Sequence, residues 1–99
     1  MHICRVIGTV VSSVKRDELK GFKLLVVEDV SPNGEPSGRS FVAIDSVGAG
    51  EKELVLVTVG SAAARVRPAV PLPVDAAVVG IIDSVAADGK VTYSKQGSV

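Results

Sequence analysis

The run Ile3-Cys4-Arg5-Val6-Ile7-Gly8-Thr9-Val10-Val11-Ser12-Ser13-Val14 decides the class of fold. Ile3, Val6, Ile7, Thr9, Val10, Val11 and Val14 are β-branched, and such side chains suit a pleated, packed surface better than a helix. The run therefore predicts one long strand, bent or bulged at Gly8. Its apolar residues fall on both faces. Ile3, Ile7 and Val11 share one side, while Cys4, Val6, Val10 and Val14 share the other. A lone antiparallel barrel carries polar residues on its outer face, so a strand of this kind needs cover on two sides.

Further along the chain the same texture repeats. Strands are expected over Phe22 to Val30, Ser40 to Asp45, Glu53 to Val59, Val74 to Val85 and Lys90 to Ser94. Between them, Lys15 to Glu18 reads as a charged loop and Ser31 to Gly38, with two prolines and an Asn-Gly pair, as a turn-rich one. The pair Asp88-Gly89 suits a type I′ hairpin. Gly60-Ser61-Ala62-Ala63-Ala64-Arg65 is the one helical signal, with Ser61 placed to cap it and Pro68 to stop it. The expected fold is all-β: a small five- to six-stranded OB-like barrel with one short helix and a C-terminal hairpin. Residues 1–99 make one domain, with 1–86 as barrel core and 87–99 as hairpin and tail.

Two-sided strands recur at Leu54 and Leu56 against Val55, Val57 and Val59, and at Ala76, Val78 and Ile82 against Ala77, Val79 and Ile81. A barrel interior accepts only alternate residues. The outer faces must be covered either by loops and the short helix or by neighbouring copies. Charge favours the copies: Lys and Arg number 11, Asp and Glu number 11, and a formal charge of zero gives little protection against self-association. The same neutrality, with three scattered aromatics, argues against a nucleic-acid binder, which needs a basic excess and stacking rings. No uncharged stretch approaches the roughly 20 residues of a membrane helix. With a single cysteine and an opening that shows no signal-peptide pattern, the reducing cytoplasm is the expected location.

The chemistry-bearing residues are few. His2 and Cys4, two apart on a strand, point to the same side and make half a metal site, but no second His or Cys exists to complete it. Nucleophilic catalysis would have only His2 as its imidazole. The carboxylate pairs Asp17-Glu18 and Glu28-Asp29 sit in loops or at strand ends, where solvated charge is their ordinary meaning. Gly48-Ala49-Gly50 lacks the Lys-Ser/Thr of a phosphate loop, and Gly60-Ser61 near Arg65 and Arg67 is a nonspecific anion cradle. Neither an enzyme nor a cofactor is expected. The non-structural alternative is a small OB-type binding module for nucleic acid or oligosaccharide.

Five segments in register carry a resemblance: Ile3 to Val11, Gly21 to Val27, Val42 to Gly50, Gly60 to Arg65 and Val74 to Asp83. Together they resemble the pentameric vertex proteins of bacterial microcompartments, of the ethanolamine-utilisation and carboxysome type. The resemblance implies a homopentamer that fills the corners of a polyhedral shell in the cytoplasm, beside hexameric shell proteins. It also implies that Gly48, Ala49 and Gly50 lie toward the ring axis and line a narrow pore. Such a ring is head-to-tail, and its subunit or shell contacts are expected at Ile3, Arg5, Ile7, Val11, Val55, Val57, Ser61 and Arg65.

Overall fold

The computed structural model describes residues 1–67 and 71–95. Among the described residues there are seven strands: β1 His2–Val10, β2 Lys23–Val30, β3 Pro36–Asp45, β4 Leu54–Val59, β5 Ala76–Ile81, β6 Ser84–Ala87 and β7 Lys90–Ser94. The first five close a barrel in the order β1-β2-β3-β5-β4, with β1 pairing back to β4. All neighbours are antiparallel except β3 and β5, which run parallel. This is the OB-like layout, and β6 with β7 forms a separate two-stranded hairpin.

The inward residues of every barrel strand meet in one cluster. Cys4 and Val6, Leu25 and Val27, Ala43, Val55 and Val57, and Ala76 and Val78 are all buried in it, with Phe41 and Ile81 at its margin. Burying one such branched aliphatic side chain is worth roughly 1.5–3 kcal/mol, so this small set supplies the main favourable energy of the fold. The side chains are mostly valines because a five-stranded barrel is narrow.

The outer face is covered unevenly. A second cluster joins Ile44 of β3 and Ala77 of β5 to Ala63 and Leu72, which lie on the connection between β4 and β5. Leu19, Phe22, Leu24, Val66, Val74 and Val79 pack around it. Over β3 and β5, then, the chain covers its own second apolar face with a short helix and a loop. Neighbouring copies are not needed there.

Several boundaries differ from the sequence expectation, each for a local reason. The first strand stops at Val10; Val11 and Val14 have no partner strand and stand 93% and 91% exposed. Its bulge falls between Val6 and Gly8, so Ile7 is the extra residue and its side chain is turned out. Strand β3 starts at Pro36, inside the expected loop, because only Ser31 to Gly34 is needed to reverse the chain. The expected Val74 to Val85 strand breaks into β5 and β6 at Ile82-Asp83, where the Ile82 N–H still donates to the Leu54 carbonyl at 2.9 Å. Gly60–Arg65 is a 3-10 helix without a side-chain cap, so Ser61 caps nothing. The hairpin turn is as expected, with φ of 54° at Asp88 and 73° at Gly89. Of the Pro68 to Pro73 loop, residues 68–70 lie outside the described residues, as do tail residues 96–99.

Candidate assembly surface

The loop between β3 and β4 is organised by its own polar groups. Asp45, nearly buried at the end of β3, accepts hydrogen bonds at Oδ1 from the Val47 N–H at 3.1 Å and the Gly48 N–H at 3.0 Å. Gly48 has φ +84°, a conformation in which an L side chain is strained. Ala49 turns its methyl into the barrel core, fully buried, and its carbonyl accepts from Lys23 Nζ at 3.3 Å. The Gly50 N–H donates to Glu53 Oε1 at 2.6 Å. The loop is thus a fixed shape that presents Val47 and the Gly48 backbone outward and anchors itself through Ala49.

From there the chain lies along β1. The Lys52 N–H donates to the Val6 carbonyl at 2.8 Å and the Val6 N–H to the Glu53 carbonyl at 3.0 Å, while Arg5 Nη1 reaches the Lys52 carbonyl at 3.0 Å. Glu53 also pairs with Lys95 at 2.9 Å. The bond from Lys95, and that from the Gly50 N–H, hold the Glu53 carboxyl below its ordinary range, and the same pairing raises the Lys95 ammonium. Residues just after β7 are in this way pinned to the root of β4.

At the other end of β1, His2 and Cys4 meet the same carboxylate. His2 Nδ1–H donates to Asp29 Oδ1 at 2.8 Å and Cys4 Sγ–H to the same oxygen at 3.4 Å. Burial, then the bond and charge of Asp29, push the thiol up to about 12. Partial burial would raise Asp29 as well, but the hydrogen bonds from His2 and Cys4 and the nearby Arg39 outweigh it and leave the carboxyl lowered. A thiol held in its neutral form is a poor nucleophile and a poor metal ligand. Among the described residues no group of three or more His, Cys, Asp or Glu is arranged to hold a metal ion. The cluster is a polar clasp between β1 and β2.

The expected contact residues divide into two kinds. Ile3, Arg5, Ile7, Val11, Ser61 and Arg65 all keep surface. Val55 and Val57 do not: both are fully buried inside the barrel, because the pleat of β4 turns them inward and Leu56 outward. They have no exposed atoms to offer a neighbour, so they belong to the core and not to a contact surface.

The family described as "Ethanolamine utilisation protein EutN/carboxysome" matches residues 1–83. The chain belongs to the EutN/CcmL family. A carboxysome shell vertex protein, CcmL, of Thermosynechococcus vestitus is 48% identical to it over 97% of each chain. The solved structure of Gloeobacter violaceus CcmL superposes with a TM-score of 0.89 at 47% identity, covering 97% of this chain and 99% of that one. A pentameric microcompartment shell protein of Rhodospirillum rubrum, GrpN, has a TM-score of 0.81 at 45% identity, covering 88% and 99%.

The family model ends at residue 83, immediately before β6, while the Thermosynechococcus and Gloeobacter CcmL chains align over 97% of this chain, so the hairpin is shared with those relatives. Sequence reasoning missed two features of the surface. The outward residue of β4 is Leu56, which lies over Gly80 and flanks Ile3; strict alternation from Val55 and Val57 would have named it. Asp45, three residues before a glycine, carried the signal of a side chain that ties down its own following turn.

Proposed function

We propose that this chain is a structural shell subunit that assembles into homopentamers and caps the vertices of a polyhedral bacterial microcompartment. The observation that carries this is the 48% identity, over 97% of each chain, to a carboxysome shell vertex protein, supported by the likeness to a pentameric shell protein. The geometry supports a structural part: the polar clusters are satisfied by their own neighbours, and the outer face of β1 and β4 remains apolar at Ile3, Ile7 and Leu56.

A flat hexagonal sheet closes into a polyhedron only where five-fold units are inserted, and the partners of such a unit are hexameric shell proteins. In this arrangement the Gly48, Ala49 and Gly50 loop faces the ring axis. Ala49 contributes its backbone there and Gly48 lets five backbones converge without Cβ clashes. Ile3, Arg5, Ile7, Val11, Ser61 and Arg65 supply subunit or shell contacts. The site of action is the shell of a compartment in the cytoplasm.

Native mass spectrometry tests the assembly. Five copies of the 10.1 kDa chain are expected as a closed ring of about 50 kDa at micromolar concentration. A stable monomer under those conditions would sink the proposal.

A further inference from the structure

The fold leaves two unlike apolar features on the surface, one protruding and one recessed. The protruding one is the loop after β1. Val11 and Val14 are the two most exposed large hydrophobics of the described residues, yet the loop that carries them has internal bonds of its own. Ser12 Oγ donates to the Val14 carbonyl at 3.0 Å, and Lys15 Nζ to the Ser12 carbonyl at 2.7 Å. Two valines are thus held out toward solvent with an ammonium group beside them. An internally bonded loop of this kind offers the two valines to a neighbour without the loop having to become ordered first.

The recessed feature is a shallow groove of about 480 Å³ whose walls are Ile3, Leu56, Ile81, Ile82 and Val85. Asp83 stands on its rim. The Asp83 carboxylate has no ion-pair partner among the described residues. The nearby Lys95 donates its backbone N–H to the Asp83 carbonyl at 2.7 Å; its ammonium pairs with Glu53 at 2.9 Å, and the Asp83 charge adds only a smaller share to raising it.

A head-to-tail ring needs two different surfaces on each subunit, complementary in shape and charge. The loop is convex, apolar and cationic at its edge; the groove is concave, apolar and anionic at its rim. We propose that the Val11 and Val14 loop of one copy seats in the Ile3 and Leu56 groove of the next, with Lys15 facing Asp83. This rests on the ring assignment above and deepens it by naming the two halves of the joint.

Charge reversal tests it, with circular dichroism used to check that each variant keeps the wild-type fold. Asp83→Lys and Lys15→Glu are each expected to raise the concentration at which rings dissociate by about tenfold or more, and the double variant to recover most of the loss. Val14→Glu should dissociate the ring without altering the spectrum, because its side chain is 91% exposed in the subunit. If the wild-type protein forms rings and all four variants form them equally well, the joint is overturned while the ring stands. If the double variant is as weak as the worse single one, the Lys15 to Asp83 pairing is overturned. Intact rings that have lost binding to a hexameric shell protein would assign the loop to that partner and overturn the joint. A wild-type chain that is monomeric would overturn the ring and the joint together.

Discussion

The inner and outer faces of the barrel read alike in sequence, both written in valine, isoleucine, leucine and alanine. They differ in what lies against them. Inside, Leu25, Val27, Val55, Val57 and Val78 close on one another and leave no accessible surface. Outside, the apolar residues divide again: Ile44 and Ala77 are sealed by Ala63 and Leu72, whereas Ile3, Leu56 and Ile7 retain surface. An apolar outer face therefore has two physical meanings. Over Ile44 and Ala77 it is a second core belonging to the subunit, and over β1 and β4 it is surface left for something beyond it.

The comparison can be broken most severely at its two buried parts. Leu25→Ala in the inner cluster and Ile44→Ala in the outer one should each destabilise the subunit by about 2–5 kcal/mol, read as a lower urea midpoint at unchanged m-value. A loss at Ile44 of less than about 1 kcal/mol would show that the outer cluster is surface and not core.

Leu56→Ser probes the open part. Its side chain is half-buried over Gly80, so the subunit should lose only about 1 kcal/mol, while the ring dissociates at a concentration at least about tenfold higher. Equal losses in both measurements would erase the distinction between the two halves of the outer face.

A third prediction concerns the clasp at the start of β1, where the inner face meets solvent. The Cys4 thiol titrates at about 12 in the fold against an ordinary value of 9.0, so its contribution to stability is complete below pH 9 and is lost as pH rises from 9 toward 12. Asp29 has the opposite sign. Its folded carboxyl is lowered, so its contribution is present above the ordinary carboxylate range and disappears as pH falls through the folded value. Urea midpoints should decline at both ends, and Cys4→Ala should abolish the alkaline decline while only reducing the acid one, because the His2 bond still holds Asp29 down. At pH 8 native Cys4 should resist iodoacetamide and react once the chain is unfolded.

The smallest effect is expected at the helix covering the sealed half. Ser61 makes no capping bond, so Ser61→Ala should shift stability by less than about 0.5 kcal/mol. A loss near 1 kcal/mol would restore the cap that the sequence suggested.

Strand positions were legible because β-branched runs and turn residues are local signals: β2, β4 and β7 fall within a residue of expectation, and Asp88-Gly89 makes the turn its dipeptide suits. The short helix was legible as a helix start but not as a 3-10 turn. Its hydrogen bonds are set by docking Ala63 onto Ile44 and Ala77, which lie elsewhere in the chain. The candidate contacts were legible only in part. Ile3 and Ile7 keep the surface that a contact requires, while Val55 and Val57 were placed on the surface although their pleat directs them inward.

By itself the sequence determined that the chain is a valine-rich β barrel with more apolar surface than one barrel interior can hold, since period-2 patterning and composition do not depend on what packs where. Only the tertiary structure decided which excess is sealed and which is left open. The cover over β3 and β5 comes from residues 63 and 72, brought to them by barrel closure. No periodicity along β3 or β5 records the arrival of a segment from another part of the chain, and none along β1 records its absence.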